Sequence, residues 1–177
     1  PFVADEAAGA HLKARMQRLS LPKPADQPHG AREQLTGAFA TRSGKLVFGE
    51  ATGSMMGGTP LPPDVAGCTI RFLDVVCELQ LRFADQREQT YQIALDGSRR
   101  ENKYAFEGSP MTRVLLSGYF ESPGRLVFSA RFVETCYEQE YCLSLAGDTL
   151  TFTRRSTNAS FAFLEKLIPS ECVLERV

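Results

Sequence analysis

From Thr69 onward, apolar and polar residues alternate with a period of two. Ile70 and Phe72 share one parity, whereas Leu73, Val75, Cys77, Leu79, Leu81 and Phe83 share the other. That flip predicts a bulge or sharp bend near Leu73-Asp74, because a strand presents alternate residues to opposite faces. The same alternation predicts strands at 89–95, 103–106, 112–120, 125–133, 138–145, 149–153 and 160–164, with two short ones earlier at 35–40 and 45–49. Their separators are turn chemistry: Asp96-Gly97, Gly108-Ser109-Pro110, Ser122-Pro123-Gly124 and Gly147-Asp148. Between 49 and 67, five Gly and three Pro surround Met55-Met56 and predict an irregular excursion. No helical period lies between the later strands to serve a parallel crossover. An antiparallel meander of about eight to ten strands removes its exposed edges by closing into a barrel.

Ahead of the meander the period changes. Residues 5–19 predict a short amphipathic helix: Ala8, Leu12, Met16 and Leu19 share one face, acids lead it, and Lys13, Arg15 and Arg18 follow. Pro22, Pro24, Pro28 and Gly30 end it and form a linker. The organisation expected is therefore helix and Pro-rich linker at 1–34, barrel at 35–167 and a C-terminal tail at 168–177. The apolar stripe of the helix needs a surface, and Pro1 in place of Met fits either the removal of a processed segment or a piece cut from a longer chain.

The 177 residues carry 20 Lys+Arg against 21 Asp+Glu, a net charge of −1, with 43% hydrophobic residues. This balance gives no basic face for nucleic acid or an anionic membrane, and no apolar run is long enough to span a bilayer. The five cysteines (68, 77, 136, 142 and 172) are odd in number and lack C-x-x-C spacing. Cys136 and Cys142 could meet across a hairpin, but buried thiols are the favoured reading, and with them a cytoplasmic rather than extracytoplasmic setting. Both histidines, His11 and His29, precede the strands, so a His-based catalytic or metal site within the barrel is not expected, nor any cofactor. Ser20-Leu21-Pro22-Lys23 matches S-x-x-K, but it falls at a helix end among prolines and has no K-T-G companion. The chain by itself is therefore not expected to be an enzyme. Arg71, Arg113 and Arg131 lie within apolar runs, and Glu134 follows Phe132-Val133. If the barrel interior is partly polar, such an arginine could meet a ligand carboxylate; otherwise each points to solvent on the polar face.

Ser117-Gly118-Tyr119, then 126–135 (LVFSARFVET) and 142–150 (CLSLAGDTL), resemble the C-terminal accessory domain of class C β-lactamase-related, penicillin-binding-protein-like serine hydrolases. The helix running into Leu19-Ser20-Leu21-Pro22 resembles the connector from the catalytic domain. Tyr119 stands where that family commonly has Trp, and the catalytic domain has no counterpart here. The resemblance implies an all-β, lipocalin-like, up-and-down barrel of about eight strands behind a short N-terminal helix. It implies a non-catalytic role: shaping or covering the active site of a missing N-terminal catalytic domain of the same polypeptide, or mediating assembly, homo-oligomers included. Candidate ligand or interface residues are then Arg71, Arg113, Tyr119, Arg131 and Glu134, with Ala8, Leu12, Met16 and Leu19 as the interdomain helix face. The alternative is an independent lipocalin-like protein binding a small apolar or amphipathic molecule.

Overall fold

A computed structural model describes residues 30–49, 61–106, 112–134, 138–157 and 166–177. The helix at 5–19, with Ala8, Leu12, Met16 and Leu19, and the strand expected at 160–164 lie outside these residues. So do Cys136 and the Gly108–Pro110 turn.

A five-residue helix, α1 (Ala31–Leu35), precedes ten strands: β1 (Gly37–Leu46), β2 (Val65–Leu73), β3 (Val76–Phe83), β4 (Glu88–Ala94), β5 (Arg100–Lys103), β6 (Arg113–Ser122), β7 (Arg125–Phe132), β8 (Glu138–Ala146), β9 (Thr149–Ser156) and β10 (Ser170–Arg176). They form one up-and-down sheet in the order β4-β3-β2-β1-β10-β9-β8-β7-β6-β5. The two early segments merge into one strand, β1, whose register shifts between Thr41 and Ser43. The predicted bend at Leu73-Asp74 is a full reversal: Leu73 pairs with Val76, and Asp74 adopts a φ of 46° in the two-residue turn. Both parities of that run therefore face inward, Ile70 opposite Leu79 and Phe72 opposite Cys77.

The expected tail at 168–177 is instead mostly β10. It pairs with β9 on one side and with β1 on the other, joining the two ends of the meander. Cys172 and Leu174 alternate inward along it and are fully buried.

Strand β1 starts beside α1, so the antiparallel order puts the turns at 74–75, 95–99, 123–124 and 147–148 at the α1 end. Ala31 and Leu35 are fully buried in the core and close this end. Arg176 anchors the plug: its guanidinium donates to the carbonyls of Thr36 (2.7 Å) and Gln34 (2.8 Å) and lies 4.8 Å from the Phe39 ring centroid. At the opposite end, β1, β3, β5, β7 and β9 finish.

Among the described residues the barrel has one seam. Strands β4 and β5 share no ladder; the Asn102 side chain does the work of a backbone instead. Its Oδ1 accepts from the Gln92 N–H (2.6 Å), and its Nδ2 donates to the carbonyls of Gln92 (2.9 Å) and Arg100 (3.0 Å). A second amide, Gln89 Nε2, donates to the Ala105 carbonyl at 2.6 Å. Past the start of β5, β4 meets β6 directly through the parallel pair Ala94–Ser117.

Candidate functional site

Inward positions on β6 to β9 are set by the two-residue period. Strand β7 sends in Leu126, Phe128, Ala130 and Phe132; β8 sends Gln139, Tyr141 and Leu143; β9 sends Leu150, Phe152 and Arg154. From the other side come Tyr91 and Ile93 of β4, with Tyr104 just after β5. These side chains fill the barrel's interior chamber, which is graded along its axis. Toward α1 it is walled by Leu35, Leu116, Leu126, Leu143, Leu150 and Leu174, all fully buried and without a side-chain donor. Toward the other end it holds Tyr141, Tyr104, Gln139 and Arg154.

Arg154 is only 4% exposed, and its Nη1 donates to Gln139 Oε1 at 3.4 Å. Gln139 is fully buried. Arg154 is the direct cross-strand partner of Tyr141, which in turn faces Phe128 at 5.2 Å in a stacked pair. A guanidinium held among aromatic walls acts through a medium that screens charge far less than water, so it favours any anion that reaches it.

The arginines anticipated from sequence stand elsewhere. Arg71 is exposed on β2, opposite Glu78 of β3. Arg131 is exposed on β7, opposite Glu138. Arg113 and Glu134 do come together, at 3.6 Å, with Glu101 3.8 Å from the same guanidinium. The Thr112 hydroxyl donates to Glu134 at 2.6 Å, and that bond holds the carboxyl below its usual range. Tyr119 is 45% exposed and borders an outer groove of about 300 Å³ with Val127, Cys142 and Thr153. The charges beside it are paired, Arg125 with Glu121 and Arg155 with Glu140.

An interior role for the anticipated arginines is thus corrected by parity. Arg71 and Arg131 each have inward-facing neighbours on both sides and Arg113 precedes the inward Val114, so all three side chains point out. Among the described residues the buried arginine is Arg154, which was not among the candidates. Its signal was present in Leu150-Phe152-Arg154, one parity of a single strand.

Among the described residues, nothing in the chamber resembles an activated nucleophile. The described residues contain no histidine, and no cluster of metal-ligating side chains occurs among them. Cys68, Cys77, Cys142 and Cys172 are free and buried. Burial pushes the Cys77 and Cys172 thiols up to about 12, far from the thiolate form at neutral pH. No helix among the described residues is long and apolar enough to cross a membrane.

No protein-family model and no curated protein matches the sequence. Solved structures do match its shape. A Schistosoma mansoni fatty acid binding protein in complex with arachidonic acid superposes with a TM-score of 0.56 at 12% identity, over 84% of this chain and 99% of that one. A secretory abundant heat soluble protein from Ramazzottius varieornatus gives 0.55 at 9%, over 88% and 99%. As-p18, an extracellular fatty acid binding protein, gives 0.52 at 10%, over 83% and 99%. At these identities the likeness is one of fold: a closed, all-β, up-and-down barrel.

Proposed function

We propose that the chain is a small-molecule-binding barrel whose chamber takes an apolar molecule carrying one anionic group. The observation that carries this reading is the axial gradient: aliphatic walls toward α1, and Arg154 with Gln139 buried at the far end. An apolar ligand gains free energy in proportion to the area it removes from water, while one charged hydrogen bond fixes which way round it lies. The shared fold supports the reading, since two of the matched proteins are fatty acid binding proteins.

The test is calorimetric titration of the purified chain with decanoate and with decanol, repeated on Arg154→Met. The wild type is expected to favour the carboxylate, and Arg154→Met to weaken it by about 10- to 100-fold while leaving decanol within about threefold. Equal binding of decanoate by both proteins, or no binding by either, overturns the proposal.

A second reading is favoured by one feature. The residues resembling the β-lactamase-related accessory domain form the continuous meander β6 to β9, and its outer face carries the groove with exposed Tyr119. A catalytic domain upstream in the same polypeptide would have a surface there to meet. An immunoblot of source cells decides: a band far above 19.6 kDa supports this reading, and one at 19.6 kDa removes it.

A further inference from the structure

Strand β1 ends at Leu46, but Val47 still lies in the sheet, bridging to Asp64 and donating its N–H to the Pro169 carbonyl at 3.2 Å. Phe48 is fully buried in the chamber, its ring centroid 4.8 Å from Tyr91, 4.8 Å from Tyr141 and 6.5 Å from Phe128. Behind it the Gly49 N–H donates to the Tyr141 hydroxyl at 2.9 Å. The Gly49 backbone passes close to Tyr104: a Cβ there would stand 1.9 Å from that hydroxyl, and φ is +144°. Only glycine takes this path.

Phe48 keeps the inward parity of Leu46 and sits on a short arm, Val47–Gly49, that follows the strand, with its ring enclosed by three aromatic side chains. The surrounding rings lie at 34–48° to it, tilted arrangements in which aromatic pairs gain beyond simple area burial. A saturated chain in the same place would match the area but not those ring contacts. Immediately across the ladder from Tyr141 stands Arg154.

We infer that the middle of the chamber is a subsite for a planar ring, held in this structure by Phe48. The ligand class it selects is an aromatic anion, its ring in the place of Phe48 and its anionic group at Arg154 and Gln139. This rests on the chamber being the binding site, and it replaces a simple acyl chain by a ring-bearing acid. Binding requires the arm to withdraw, so the resident phenyl lowers the apparent affinity by the fraction of time the subsite is filled.

The experiment is calorimetric titration of wild type and Phe48→Ala with 1-naphthoate and with decanoate. Phe48→Ala is expected to bind 1-naphthoate about tenfold or more tighter than wild type does, and to gain less for decanoate, whose saturated chain forgoes the ring contacts. Circular dichroism verifies the fold of the variant. Should Phe48→Ala fail to fold, Phe48→Leu fills the volume without a ring and is expected to show a smaller gain, again for 1-naphthoate over decanoate. An equal or larger gain for decanoate, or no gain for 1-naphthoate while decanoate binds, overturns the ring subsite and leaves the chamber intact as a binding site. Failure of both proteins to bind either acid overturns the chamber reading itself.

Discussion

Raising the pH from 8 to 12 is expected to unfold the barrel, with the loss beginning near pH 9. Cys68, Cys77 and Cys172 are 4%, 0% and 0% exposed on β2, its neighbour β3, and β10, which β1 separates from β2. Burial is the largest cause that raises each thiol; Cys68 is raised further by its neighbours Cys172 and Cys77. Cys77 and Cys172 reach about 12, and Cys68 lies higher still. A thiol in the unfolded chain titrates near about 8.5. The folded values lie above the unfolded ones, so the folded state holds its protons longer. Stability is then unaffected below about pH 8.5 and falls as the pH climbs toward the folded values. Cys77 and Cys172 alone account for roughly 8 kcal/mol of loss across that window, comparable with the whole stability of an ordinary domain. Burial also pushes the Tyr91 hydroxyl up, which adds in the same direction. Circular dichroism across the pH range measures this. A midpoint below about pH 11.5 is expected, shifted upward when the three cysteines are replaced by alanine. Native near- and far-ultraviolet spectra at pH 12, or a midpoint indifferent to the triple replacement, would refute the account.

Much of the barrel was legible because its signal is local. Alternation located β3, β4 and β6 to β9, and Asp96-Gly97, Pro123-Gly124 and Gly147-Asp148 are where the chain reverses. What escaped is what depends on distant partners. Strand β10 is short and carries Glu171, Glu175 and Arg176 beside its inward Cys172 and Leu174; it is a strand because β1, far back in the chain, offers an edge. The Asp74 reversal has no glycine or proline, so the run looked like one bent strand rather than two. Arg154 was passed over because apolar neighbours, not parity, selected the candidates, and parity decides which side of the sheet a charge occupies. Phe48 borders a Gly- and Pro-rich stretch with no period at all. Its place among Tyr91, Tyr141 and Phe128 follows from the Gly49 backbone passing beside Tyr104.

Replacing Gly118 by valine is expected to cost about 4 kcal/mol and to lower the melting temperature by roughly 10 °C. Gly118 faces inward on β6, opposite Phe128 of β7. It lies one residue past Ser117, where β4 closes on β6 because β5 does not reach between them. A Cβ at 118 would stand 2.8 Å from Phe128 Cβ, 2.9 Å from the Val127 carbonyl oxygen and 3.0 Å from Ile93 Cγ2. The first two are backbone or fixed to it, and the third is a branch on a β-branched residue, so none is the loose end of a flexible chain. Relief would require parting β6 from β7 or from β4, and the β4 contact is the closure of the seam. Gly147 provides the control. Its φ is +61° and nothing lies within 4 Å of its Cβ position, so Gly147→Ala carries backbone strain without a clash and should cost only about 1 kcal/mol. Gly118 has no positive φ, so its penalty is steric alone. Urea denaturation of the two variants separates the causes. If Gly118→Val is no worse than Gly147→Ala, neither β7 nor β4 presses on position 118 this closely, and the steric account of the glycine fails.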